Sequence, residues 1–204
     1  MEINKEYYDA QIKYINEIRS IRHDIQAHMI VLQYYLEAGD YDKAKEYLVD
    51  MKKQQNLHRI VVKDTGNDLV NAIVSDILSR SSEEIIFEMK GVLPEKMEMS
   101  EYDICILFSN IFSNAKEACE KLKFSKPIIR MEVEDTKEKL YILVQNPIEW
   151  KIDLQDGSFV STKQNKEEHG FGTKNIIQTI KKYQGKIDFF ITDEIFQVVI
   201  NFKK

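Results

Sequence analysis

The sequence predicts an α+β chain: an N-terminal helical hairpin that dimerises into a four-helix bundle, followed by one α/β-sandwich domain. Three observations carry that reading. No glycine or proline precedes Gly39, and apolar residues in that stretch recur at spacings of three and four. Further along, segments that alternate with period two appear between helical patterns. The length, 204 residues, holds one medium domain and a smaller helical piece, divided here as 1–62 and 63–204.

Ile18, Ile21, Ile25, Met29, Leu32 and Leu36 form one apolar stripe, so a helix is expected from about Lys5 to Glu37. Ala38, Gly39 and Asp40 make the turn, with Gly39 suited to a left-handed helix cap and Asp40 to the next N-cap. A second helix then runs from Tyr41 to about Gln55. Two helices cannot cover so long a stripe, whereas two hairpins paired as a four-helix bundle can. After His58 the sequence reads as a helix over 67–80, a short strand over Glu84–Met89 and a helix from Ser100, its N-cap, to about Leu122. Ile128–Glu134 and Lys139–Gln145 alternate as neighbouring strands across a turn at Thr136 and Lys137. Residues 147–169 are polar and carry no regular pattern, the mark of a functional or a disordered loop. A helix over Thr173–Tyr183 and strands over Lys186–Ile191 and Ile195–Phe202 complete a sheet with helices on one face.

Composition removes several classes of function. Lysine and arginine number 29 against 34 aspartates and glutamates, and the charges are dispersed, which excludes nucleic acid as the main partner. Seven glycines and three prolines are too few for a disordered or collagen-like chain. Cys105 and Cys119 lie in a helical pattern and cannot build a disulfide framework, so a reducing, cytoplasmic setting is expected. No apolar run approaches the ~18 residues of a membrane span, and no signal peptide opens the chain.

Three groups of residues bear chemistry. His23 sits about 160° around the helix from Ile25, opposite the apolar stripe. Asp24 beside it can hold one ring nitrogen and leave the other as a nucleophile. Ala27 keeps the next turn of that face uncrowded, while His28 lies at the flank of the stripe and is expected to pack there. Asn110 and Asn114, four apart, share a helix face, with Leu107, Ile111 and Ala115 turned to the core. Their amide oxygens are hard ligands of the kind Mg²⁺ accepts, although paired asparagines also occur on solvated helix faces. His169-Gly170-Phe171-Gly172-Thr173-Lys174-Asn175 opens a helix after the polar loop. Its glycines allow backbone to approach phosphate, or else act as a hinge.

In order and spacing, these groups resemble a sensor histidine kinase, and more closely the cytoplasmic region of the peptide quorum-sensing (accessory-gene-regulator-like) class. That class carries the Bergerat-type ATP-binding fold shared with gyrase and heat-shock protein 90. The family's Arg-His-Asp box matches Arg22-His23-Asp24, and its N box matches Asn110 through Ala118. Its G box matches His169 through Asn175, with a trailing Lys-Tyr-x-Gly at Lys182, Tyr183 and Gly185. The resemblance implies ATP and Mg²⁺ as cofactors, with Asn110, Asn114, Asn146, Gly170, Gly172 and Thr173 binding nucleotide and Asn114 holding the metal. It implies His23 as phosphoacceptor, Asp24 as base or orienter, a homodimer, and an aspartate on a response regulator as the final acceptor. Any membrane connection would run through an N-terminal sensor region missing from this chain. Three positions depart from the family pattern. Asn146 stands where an adenine-reading aspartate is usual, Thr173 replaces a leucine, and Ala27 replaces a polar amide needed for dephosphorylating the regulator. These departures leave two alternatives open: a non-enzymatic dimeric scaffold or pseudokinase, and a phosphorelay protein with a vestigial ATPase domain.

Overall fold

The computed structural model describes residues 2–53, 64–122, 126–149, 154–155, 158–159 and 171–204. The chain forms two compact units, Met1–Asn56 and Leu57–Lys204.

In the first unit, α1 (Glu2–Glu37) runs without a break for 36 residues and α2 (Tyr41–Lys53) for 13. Gly39 ends α1 at φ +75°, and the amide of Asp40 returns to the carbonyl of Tyr35 at 2.9 Å. The Asp40 carboxylate, just before α2, pairs with Lys43 at 2.8 Å. The hairpin closes through Ala44, which is buried, and Tyr47, whose hydroxyl lies 2.7 Å from His28 Nδ1 and whose ring meets Tyr35 edge-on. At ~1.5 Å per residue, α1 is about 54 Å long and α2 about 20 Å. The shorter helix leaves most of the stripe bare: Ile18 is 47% exposed, Ile21 59%, Ile25 56%, Met29 61% and Leu36 53%. Leu32 is half-buried.

The second unit comprises α3 (Asp68–Ser79), β1 (Ile86–Lys90), α4 (Glu101–Glu120), β2 (Ile128–Asp135) and β3 (Lys139–Pro147). There follow β4 (Leu154–Gln155), β5 (Ser158–Phe159), α5 (Phe171–Lys182), β6 (Lys186–Thr192) and β7 (Ile195–Lys203). Five strands form a mixed sheet in the order β1-β2-β3-β7-β6. β1 and β2 are parallel because α4 crosses between them, and the remaining pairs are antiparallel, with Met131 opposite Val144 and Val144 opposite Val198. Capping sets the helix starts. The Asn67 side chain accepts from the Val70 amide at 3.2 Å, and Ser100 Oγ accepts from the Asp103 amide at 3.2 Å.

Strand burial alternates as the period-two pattern requires. On β3, Leu140, Ile142, Val144 and Asn146 are buried, which puts Asn146 on the same face as the core residues. Helix residues Val74 and Leu78 of α3, Phe108 and Phe112 of α4, and Ile176 and Ile180 of α5 complete the core on that side. Two expectations need correction. The strand read over Glu84–Met89 begins at Ile86 and extends to Lys90. The stretch 147–169 is not wholly without regular structure: β3 takes in Pro147, and Leu154–Gln155 pairs with Ser158–Phe159. A two-residue ladder is too short to leave an alternating signature in sequence.

Candidate functional site

On α4, Leu107, Ile111 and Ala115 face the core at 0%, 2% and 2% exposure, and Asn110 and Asn114 lie beside them, half-buried and exposed respectively. Asn110 Nδ2 donates to the carbonyl of Ile106 at 2.7 Å. That bond uses one of the two N–H donors, and Oδ1 is the atom nearest Gly172. The first turn of α5 lies against it. A Cβ built on Gly172 would stand 3.2 Å from Asn110 Oδ1, 3.7 Å from Asn114 Oδ1 and 3.8 Å from Asn114 Nδ2. Glycine at 172 is what lets the two helices approach so closely at this point. Thr173 follows, half-buried. Asn110 and Asn114 are thus neighbours of Gly172, remote in sequence, across the α4–α5 contact. The opening turn of α5 carries no acidic residue, and the first amides of any helix lack a partner within it, a combination that favours an anion.

Asn146 is 4% exposed, and its Nδ2 donates to the Pro147 carbonyl at 3.0 Å. The amide oxygen is the group left to accept from a ligand. Gly170 and His169 lie outside the described residues. Among the described residues no cluster of three or more His, Cys, Asp or Glu could hold a metal ion. A cavity of about 360 Å³, lined in part by Met97, Met99, Leu140, Tyr183 and Phe202, lies by Leu140, about 20 Å along β3 from Asn146 at ~3.3 Å per residue. It is separate from the asparagine pair.

The sequence reading missed a second contact between α4 and α5. Asp103, 6% exposed, accepts through Oδ2 from Lys182 Nζ at 2.6 Å, Tyr183 hydroxyl at 2.6 Å and Ser100 Oγ at 2.7 Å. The Lys182 ammonium, helped by the Tyr183 and Ser100 hydroxyls, lowers the Asp103 carboxyl to about 2. The trailing Lys-Tyr-x-Gly was visible in the sequence, but its partner was not. A second network, around buried Thr65, ties its amide and hydroxyl to Asn71 Oδ1 at 2.8 and 2.7 Å and its carbonyl to the Leu93 amide at 2.7 Å. That network anchors the start of α3.

In the other unit, the His23 side chain is 82% exposed and its Nδ1 lies 3.3 Å from Asp24 Oδ1. This arrangement leaves Nε2 open to solvent, on the side of α1 that sequence periodicity assigned. His28 is engaged with Tyr47, as expected of a packed flank residue.

Residues 99–203, just over half of the chain, match the sequence model of the GHKL domain. The chain belongs to the GHKL domain family. Membership implies an ATP-binding domain of the histidine-kinase type, and the asparagine pair, Gly172, Thr173 and Asn146 all lie within the matched segment. Several solved structures are similar, and the first shows the same fold. The mycobacterial sensor histidine kinase MprB superposes with a TM-score of 0.52 at 11% identity, over 67% of this chain and 92% of that one. The catalytic domain of histidine kinase ThkA gives 0.49 at 17%, over 74% of this chain and 97% of that one. The kinase domain of a blue-light-activated histidine kinase from Erythrobacter litoralis gives 0.46 at 13%, over 71% of this chain and 63% of that one. At 11% identity the likeness to MprB is one of fold alone. No curated protein matches the chain significantly. Among the described residues no helix is long and apolar enough to cross a membrane.

Proposed function

We propose that this GHKL protein is the cytoplasmic kinase region of a sensor histidine kinase of the peptide quorum-sensing class, which autophosphorylates on His23 and passes the phosphoryl group to an aspartate of a response regulator. The observation that carries the reading is the seating of Gly172 against Asn110 and Asn114 inside the GHKL segment. This juxtaposition gives backbone amides and two side-chain amides one common face for phosphates. In this reading Asn110, Asn114, Gly170, Gly172 and Thr173 bind the phosphates, and the Asn146 oxygen accepts from the adenine amino group. Asn114, an exposed amide with a hard oxygen, suits Mg²⁺, which takes few protein ligands and fills its shell with phosphate oxygens and water. Bound there, the ion would neutralise phosphate charge.

His23 acts through its open nitrogen. Nε2 attacks the γ-phosphorus while the bond to the β,γ-bridging oxygen breaks and ADP leaves. The proton on Nδ1 stays paired with Asp24, whose charge offsets the imidazolium. Positioning and charge neutralisation supply most of the rate in transfers of this type. The bare stripe from Ile18 to Leu36 supports a homodimeric four-helix bundle, which would carry His23 on its outside. The test is incubation with γ-labelled ATP and Mg²⁺. An acid-labile, base-stable label that disappears in His23→Gln and persists in His28→Gln is expected. A label that follows His28 instead refutes the assignment.

A further inference from the structure

α5 meets α4 at both of its ends. Its first turn rests on Asn110 and Asn114 through Gly172, and its last residues, Lys182 and Tyr183, grip Asp103 and Ser100 at the start of α4. The helices therefore run antiparallel, with a polar contact at each end and Ile176 and Ile180 buried between them. We infer that the Asp103–Lys182–Tyr183 cluster is a positioning latch, which sets the axial register of α5 so that Gly172 stays seated on the asparagine pair.

The physical argument separates two kinds of contact. Burial of Ile176 and Ile180 holds α5 on the core, but apolar contact is non-directional and tolerates sliding along the helix axis. Charge-assisted hydrogen bonds do not. Three donors converge on a single oxygen, Asp103 Oδ2, within 2.6–2.7 Å, and the Ser100 amide also donates to the Tyr183 hydroxyl at 3.0 Å. Ser100 is also the N-cap of α4, so the latch grips a fixed point of that helix. The chain just beyond α5 is held as firmly. The Gly185 amide returns to the Ile180 carbonyl at 3.0 Å, and a Cβ at 185 would stand 2.7 Å from the Phe202 ring and 2.9 Å from Ile180 Cγ2. The Lys182, Tyr183 and Gly185 positions thus act on one junction. α5 is a rigid rod about 18 Å long at ~1.5 Å per residue, so a shift at its C-terminal end is carried to Gly172. Lys182 and Tyr183 are positioning residues in this account and touch no nucleotide.

The inference rests on the proposed nucleotide site, and two independent readouts keep them apart. The first is the pair of Asn110 and Asn114 side-chain amide resonances in the full chain, recorded without nucleotide. Tyr183→Phe and Asp103→Asn are expected to shift both, while Lys182→Arg, which keeps the charge-assisted bond, leaves them in place. The second is binding of a non-hydrolysable ATP analogue with Mg²⁺, expected to weaken roughly tenfold in Asp103→Asn and to stay unchanged in Lys182→Arg. Tyr183→Phe, which removes one hydroxyl and little volume, guards against a variant that fails to fold. Unmoved amide resonances in a folded Tyr183→Phe and Asp103→Asn overturn the latch. Shifted resonances in a chain that binds no nucleotide uphold the latch and overturn the nucleotide reading.

Discussion

Gly172→Ala separates the site from the fold. The added methyl would lie 3.2 Å from Asn110 Oδ1, closer than ordinary carbon–oxygen contact, and Asn110 is tethered by its 2.7 Å bond to the Ile106 carbonyl. The oxygen must give by a few tenths of an ångström, for which overpacking of about 1 kcal/mol is the low end of the usual range. Gly172 also lies in the first turn of α5, where alanine gains up to about 1 kcal/mol of helix propensity. The two effects offset each other, so the thermal midpoint should move by no more than a few degrees. Ligand binding has no such compensation. In the proposed site phosphate binds beside the asparagines, where the methyl would crowd it, and loss of one hydrogen bond to a charged group costs about 1.5–3 kcal/mol. That corresponds to roughly ten- to a hundredfold in affinity. Calorimetric titration with a non-hydrolysable ATP analogue and Mg²⁺, beside a thermal melt of the same sample, gives both numbers. Affinity within twofold of the unmodified chain, at an unchanged midpoint, would refute the assignment of Gly172 to the site.

The latch is also expected to show in the pH dependence of stability. Asp103 has its pKa lowered to about 2 from 3.8, so its contribution is complete above pH 3.8 and is lost as pH falls from 3.8 through 2. Lys182 is raised above 10.5, chiefly by its bond to Asp103, so its share is lost as pH rises past that value. The gap in melting temperature between the chain and Asp103→Asn should therefore be level from about pH 4 to 10 and narrow on either side, and a gap that does not change with pH excludes the charge. Replacing Ile25 and Leu32 with glutamate should convert dimers to monomers in sedimentation at micromolar concentration, since each buried unpaired charge costs several kcal/mol. An unmodified chain that sediments as a monomer removes the bundle. Ala27, an exposed residue one turn beyond His23, offers no hydrogen bond to a hydrolytic water. Ala27→Asn should accelerate phosphate loss from the regulator without altering His23 labelling; rapid loss already present in the unmodified chain and stopped by His28→Ala would transfer that role to His28.

The elements of this protein were legible in sequence because their signals act over a few residues. Apolar spacing placed α1 and the exposed face of His23, Ser100 announced α4, and alternation along Lys139–Gln145 marked β3. The asparagine pair and the Gly-x-Gly segment were each visible as well, open singly to bland readings and joined into one site by their resemblance to a known family. Assembly was a different matter. The turn at Thr136 and Lys137 marked β2 and β3 as neighbours, which they are, but alternation alone pairs no strands, and the full order β1-β2-β3-β7-β6 with one parallel pair was absent from the sequence reading. Asp103 looked like an ordinary first-turn acidic residue of α4; only the packing of α5 brings Lys182 and Tyr183 onto its oxygen. The close seating of Gly172 on the asparagines likewise exists only where α5 packs on α4. Caps and periodicity are satisfied within one element, and a sequence displays them. A hydrogen bond between two elements acquires its direction only when both are packed, and so the latch and the seating of the site were decided by the tertiary structure.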